Sequence, residues 1–424
     1  MKIRRFAASA VVLFCLLGAW GCGMEGTPED GAWENSGAAE SSMPQEDGLA
    51  AWPDVSRDVR QGDDPGVWPE EPSPDYEAYF KELAQCYSFR LLPDEEKYWY
   101  VDIYHIFREH LETGDLWAEG IKAVDTERIY PIFQCVLNDH PEIFYVSGYH
   151  YTQYTQGEET VRIAFSGVYD MDAIETAVRQ AQIALYVEEC LSGIPREASE
   201  YEKVKYVYDY LIEHTQYNLQ AEQNQNICSV FIGGESVCQG YAKATQYLLQ
   251  QLGMEATLVM GTVNNGEGHA WNLVRIDGEY YYVDTTWGDA SYQITENGEL
   301  VNAEIFPSVN YDYLCVTTQQ LCRTHVIDNV VPVPECTSMA ANYYVMEGAY
   351  FTEYDETELE ELFRRCYEQG REEVTLKCAD YEIYRAVFEK LITNQQIFRY
   401  LDAPDGVVAY ADDEDQLLLT FWLT

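Results

Sequence analysis

The dipeptide Asp277-Gly278 constrains this 424-residue chain more than any other short feature. It stands between two apolar and aromatic runs, HAWNLVRI ending at Ile276 and EYYYV beginning at Glu279. Asp-Gly suits the positive-φ positions of a two-residue turn whose twist matches that of the flanking strands, so the stretch is expected to form a β-hairpin. With Ile276 opposite Glu279, the register places Trp271 opposite Asp284 and His269 opposite Thr286. His269 and Asp284 then share one face as diagonal neighbours, with Cα atoms about 7–8 Å apart, within reach for an imidazole and a carboxylate to meet. A three-residue loop would shift the register by one and send them to opposite faces.

A second stretch, ESVCQGYAKATQYLLQQLG over residues 235–253, has the period of a helix. Cys238, Tyr241, Ala242, Thr245, Leu248, Leu249 and Leu252 fall on one stripe, and Gly253 stands where a left-handed C-terminal cap belongs. Ser236 with Gln239 forms an S-x-x-Q capping box, which makes Ser236 the expected N-cap and Cys238 the second helical residue. A thiol there faces the positive end of the helix, where the dipole and free backbone N–H groups favour the nucleophilic thiolate. A lone cysteine is more commonly a small buried hydrophobe, so chemistry needs a base as well. Of the seven histidines, His269 is placed to be that base and Asp284 its orienting carboxylate.

Three segments, VCQGYAKA, GHAWNLV and YYYVDTTWGD, resemble the motif blocks of the transglutaminase-like superfamily in its bacterial secreted branch. The likeness extends over about residues 199–289 and includes the helix-like EYEKVKYVYDYLIEHTQYN ahead of the cysteine. It implies an α+β fold with a papain-like core, in which the helix bearing the nucleophile packs on an antiparallel sheet. An N-terminal α/β domain and a small C-terminal α/β appendage are expected to flank it. The resemblance also implies that Cys238 attacks a peptide or glutamine-type amide to form a thioester, with His269 as general base and Asp284 holding it. Water or an amine can resolve that acyl-enzyme, and hydrolysis is favoured because water is always present. Oxyanion stabilisation is expected from the Cys238 backbone N–H, with Gln225 as a candidate side chain. Trp271 and Trp287 either wall the cleft or sit in the core. His140, before a proline, and His325, far in sequence from the other three, are expected to be structural. No CxxC or HExxH spacing occurs, so neither a metal nor another cofactor is expected. A non-catalytic binding module that keeps this fold and uses its 35 tyrosines for contacts is the alternative.

The chain opens with Lys2, Arg4 and Arg5, an apolar run over residues 6–20, and then Gly21-Cys22, the order of an export signal. Cys22 resembles the lipid-bearing cysteine of a bacterial lipobox, although Ala19 and Trp20 depart from that pattern. The expected plan is a signal peptide at 1–21, an acidic disordered linker at 22–75, an N-terminal domain at 76–190, the core at 191–331 and a C-terminal region at 332–424. The formal charge of −47 argues against nucleic acid as a partner, because that polymer requires basic patches to release counterions. The expected partners are a protein or peptide substrate outside the cytoplasm and a membrane reached through a lipid anchor at Cys22. Twelve scattered cysteines leave any disulfide pairing open.

Overall fold

The computed structural model describes residues 2–5, 7–9, 61–62, 74–156, 159–289, 293–296, 299–301, 309–401 and 407–423. Cys22 and nearly all of the expected linker lie outside the described residues.

The first part of the chain packs two helices on a hairpin. Helix α1 (Asp94–Arg108) and helix α2 (Ile129–Asp139) lie against strands β1 (Val146–Gln156) and β2 (Glu159–Tyr169), which pair antiparallel. Phe107 of α1 joins these layers, with its ring 5.8 Å from that of Phe133 and 5.9 Å from that of Phe165. His140, at the end of α2, stacks on Tyr104 at 4.1 Å and is bonded to Glu142, and it is buried as a packing residue. Helix α3 (Ala173–Ser192) follows, and Asp172 caps its first turn through Ile174 N and Glu175 N.

Helix α4 (Glu200–His214) begins with a complete capping box between Ser199 and Glu202. Its buried face (Val204, Val207, Tyr208, Leu211) meets helix α5 (Cys238–Gln251). Helix α5 in turn lies on the antiparallel sheet formed by β3 (Ala256–Val263), β4 (Gly268–Ile276), β5 (Glu279–Val283), β6 (Leu314–Val316) and β7 (His325–Ile327), in the order β6-β5-β4-β3-β7. The hairpin register is the expected one: Ile276 pairs with Glu279 and Asn272 with Val283. Asp277 and Gly278 take φ of 49° and 90°, the left-handed conformations that this short turn requires. This is an α+β architecture with the cysteine helix against an antiparallel sheet.

Two local expectations need correction. The N-cap of α5 is Val237, and its side chain makes no capping bond, so Cys238 is the first helical residue rather than the second. The Ser236 hydroxyl is engaged elsewhere, 2.6 Å from Ser229 Oγ and 2.9 Å from the Asn224 carbonyl. Near the C-terminus, the side chains of YYVMEGAYF, residues 343–351, are those of a strand by propensity. Tyr343–Met346 instead forms a helical turn capped by the Asn342 side chain at Tyr344 N, and only Tyr350–Phe351 is extended. Past it, helix α6 (Glu356–Glu368), strand β8 (Glu373–Cys378), helix α7 (Tyr381–Phe388) and strands β9 (Val407–Asp413) and β10 (Leu418–Trp422) form a second layered unit, with β10 between β9 and β8. The ten described cysteines are all free thiols.

Candidate active site

The position of Cys238 depends on how closely its helix approaches the preceding loop. A Cβ on Gly240 would lie 1.9 Å from Ser236 Oγ, 2.9 Å from the Asn224 carbonyl and 3.0 Å from Ser229 Oγ. Only glycine allows the first turn of α5 to rest on that buried hydroxyl pair. On its other side, Cys238 packs with Ala242 against Leu258, Met260 and Ala270 of the sheet. Two polar contacts set the helix against the hairpin. Asn272 Nδ2 donates to the Ala242 carbonyl at 2.9 Å, and the hydroxyls of Thr245 and Thr285 meet at 2.8 Å.

Those contacts bring the sequence candidates together. His269 Nε2 lies 2.8 Å from Asp284 Oδ2, and the Cys238 thiol is also within hydrogen-bonding reach of His269. Because Nε2 is committed to Asp284, Nδ1 is the ring atom left for the sulfur. Asp284 ends the hairpin by capping a short helical turn, and its Oδ1 accepts from Thr286 N at 3.0 Å and Trp287 N at 3.1 Å. Burial opposes charge on His269, but the facing Asp284 carboxylate and the hydrogen bonds from Asp284 and Cys238 raise its pKa to about 10. Burial likewise opposes the Asp284 anion. His269 and His325 overcome it and hold that carboxyl well below the usual carboxylate range. The result is a buried His269–Asp284 pair that favours a proton on the imidazole, beside a helix N-terminal thiol whose proton that imidazole can hold.

His325, expected to be structural, stands inside this group. Its Nε2 is 3.1 Å from Asp284 Oδ2, so two imidazoles converge on one carboxylate oxygen. Strand β7 brings it there by pairing with β3, His325 opposite Val263. His269, Asp284 and His325 place their possible metal-ligating atoms within 4.8 Å of one another, a cluster that motif spacing did not show. The two short contacts in it are hydrogen-bond distances that a proton on each ring nitrogen satisfies.

The aromatic candidates separate. Trp271 is fully buried beneath the histidines, with its ring 5.0 Å from that of His325, and is therefore core. Trp287 is half-buried and covers both imidazoles, 4.6 Å from His325 and 5.9 Å from His269. The half-buried Tyr217 lies near Cys238 and Asp284. Gln225 follows Asn224, whose carbonyl accepts from Val237 N at 3.3 Å, so the loop carrying Gln225 is tied to the residue before Cys238. The Gln225 Oε1 atom is buried without a hydrogen-bond partner among the described residues.

Residues 190–285 match the family model of the Transglutaminase-like superfamily, and the chain contains a transglutaminase-like core. It is similar to the Kyphoscoliosis peptidase of Mus musculus, 23% identical over 142 residues that cover 29% of this chain and 21% of that protein. The Kyphoscoliosis peptidase of Homo sapiens is 25% identical over 120 residues, covering 24% and 18%. The chain thus spans about a fifth of the length of these curated relatives. Among solved structures, a TGase aligns at 13% identity with a TM-score of 0.26, covering 38% of this chain and 56% of its own. The periplasmic domain of TgpA from Pseudomonas aeruginosa aligns at 17% identity and a TM-score of 0.20, covering 30% and 56%.

Proposed function

We propose that this protein is an exported thiol enzyme acting on peptide or glutamine-type amide bonds through Cys238, His269 and Asp284. The observation that carries this reading is the 2.8 Å contact from His269 Nε2 to Asp284, which leaves Nδ1 free for a thiol at the first residue of a helix. In the reaction, the Cys238 S–H bond breaks with its proton passing to His269 Nδ1, the sulfur bonds to the substrate carbonyl carbon, and the carbonyl π electrons move to oxygen. The N–H groups of the first turn of α5 supply positive potential for that oxyanion, and Gln225 is a side-chain candidate to assist. Collapse breaks the C–N bond, and the leaving nitrogen takes the proton held by His269. Water then adds to the thioester, gives a proton to His269, and releases the acid with the thiolate re-formed. Hydrolysis is preferred over amine transfer because the acceptor is always at hand.

One observation favours the non-catalytic alternative: Cys238 is only 3% exposed. Labelling the folded protein with a thiol-directed acyl probe at neutral pH separates the two readings. Capture at Cys238 supports the enzyme, and its complete protection supports the binding module.

Export and anchoring rest on the basic, apolar, small-residue order before Cys22. Among the described residues no helix is long and apolar enough to cross a membrane. Mass spectrometry of a membrane fraction is expected to find a lipid-modified N-terminal peptide beginning at Cys22. An unmodified product released to the medium would remove the anchor and leave export standing.

A further inference from the structure

Asp284 receives a fourth donor that the thiol, base and orienter do not require. Its Oδ1 takes two backbone N–H groups from the turn it caps, and its Oδ2 takes His269 Nε2 at 2.8 Å and His325 Nε2 at 3.1 Å. We infer that His325 is a positioning residue of this site, a neutral imidazole that donates Nε2–H to Asp284 Oδ2 and fixes the carboxylate for His269. The inference rests on the thiol-enzyme reading and adds a fourth member to its chain of contacts.

The polarity of the network follows from its far end. His325 Nδ1 is 2.8 Å from Thr324 Oγ1, and Thr324 Oγ1 is 3.3 Å from the Tyr313 hydroxyl. A carboxylate oxygen can only accept, so Nε2 must carry the proton. In the neutral ring Nδ1 then accepts from the Thr324 hydroxyl at 2.8 Å in preference to the Leu321 carbonyl, which lies 3.4 Å from that hydroxyl, and the Thr324 oxygen can accept from Tyr313. Burial disfavours charge on His325 and, with repulsion from His269, outweighs the attraction of Asp284 and the Leu321 carbonyl.

The ring has no freedom to act otherwise. Its side chain is fully buried. Trp287, Trp271 and Tyr313 lie 4.6, 5.0 and 5.5 Å from it, centroid to centroid, and His269 lies at 5.3 Å. This box orients Nε2 toward Asp284 and excludes water that could compete for Oδ2.

The test uses the full chain with His325→Gln, which keeps an N–H donor of similar reach, and His325→Leu, which removes it. The readout is the rate at which iodoacetamide alkylates Cys238 at pH 7, located by peptide mapping, beside nitrogen-15 NMR of the wild-type histidines. His325→Gln is expected to stay within about threefold of wild type. His325→Leu is expected to fall by about tenfold or more, the scale of a lost hydrogen bond to a charged group. NMR is expected to show His325 neutral with its proton on Nε2 and His269 doubly protonated, a pattern that a merely space-filling histidine has no reason to adopt. If His325→Leu does not fold, the wild-type tautomer decides. A doubly protonated or Nδ1–H His325 overturns the inference, as does a His325→Leu protein that folds and alkylates like wild type. Stoichiometric zinc in the purified protein, lost in His325→Gln, also overturns it in favour of a metal-held cluster. An unreactive wild-type Cys238 defeats the thiol-enzyme reading itself, whereas a reactive wild type with an equally reactive His325→Leu defeats only this inference.

Discussion

Asn272, on the central strand, donates its side-chain amide to the carbonyl of Ala242 on the cysteine helix at 2.9 Å, across a fully buried interface. The same Nδ2 lies 3.4 Å from the Thr257 carbonyl on the neighbouring strand. One side chain therefore couples the helix carrying Cys238 to the two strands beneath it. Asn272→Ala is expected to cost about 1–3 kcal/mol, because it removes a buried hydrogen bond and leaves space behind. A urea midpoint unchanged from wild type would show that the helix is held by other contacts.

Gly240 makes a sharper prediction. A methyl group there meets Ser236 Oγ at 1.9 Å and the Asn224 backbone at 2.9 Å, so the helix start or the loop must move. Gly240→Ala is expected to destabilise the protein by about 1–3 kcal/mol or more, the range of overpacked cores. It should also slow Cys238 alkylation, because the displaced turn carries the thiol. Ser236→Gly in the same chain removes the nearest clash and should recover part of both losses. Thermal melting of the single and double variants checks this, and additive losses would disprove the steric coupling.

Much of this site was legible in the sequence because its parts are set by local rules. Asp277-Gly278 dictates a two-residue turn, the turn dictates the register, and the register brings His269 to Asp284. The helical stripe and Gly253, whose φ is +74°, mark the span of α5 in the same way. His325 was not legible, since its approach to Asp284 depends on β7 crossing to the far edge of the sheet to pair with β3. Nothing within its own segment reports that pairing. The capping box at Ser236 was misleading for a related reason: a serine hydroxyl takes the partner the tertiary fold supplies, and here it bonds Ser229 and Asn224. Tyr343–Met346 has strand-forming side chains, but Asn342 caps the segment and the burial of Tyr343 and Tyr344 outweighs that propensity.

The paired charges also predict how stability follows pH. His269 is raised from an unfolded value of about 6.5 to about 10 in the fold, so the folded state holds a proton that the unfolded chain has lost between those values. Its contribution is complete below about pH 6.5 and disappears as pH rises toward about 10. Asp284 is depressed, so its contribution is present above an unfolded value of about 3.9 and is lost on acidification. The stability difference between wild type and His269→Gln should therefore shrink steadily from pH 6.5 to 10. Denaturant titrations at several pH values measure it, and a constant difference across that window would remove the imidazolium from the folded state.

The last prediction concerns the reactivity of Cys238. An ordinary exposed thiol, with a pKa near 8.5, is largely protonated and slow at pH 6–7. If His269 takes the thiol proton, Cys238 should be alkylated by iodoacetamide in that range faster than the other cysteines of the folded chain. His269→Ala should lower the Cys238 rate by about a hundredfold or more, within the range contributed by a positioned general base. Asp284→Asn should also lower it, because the amide can present an N–H where Nε2–H needs an acceptor, which favours the wrong ring tautomer. Total protection of Cys238 would agree with its 3% exposure and support the binding-module reading. Labelling that is equally fast in wild type and His269→Ala would instead show a thiol that the helix exposes without help from the imidazole. Rate against pH, resolved peptide by peptide, distinguishes these three outcomes.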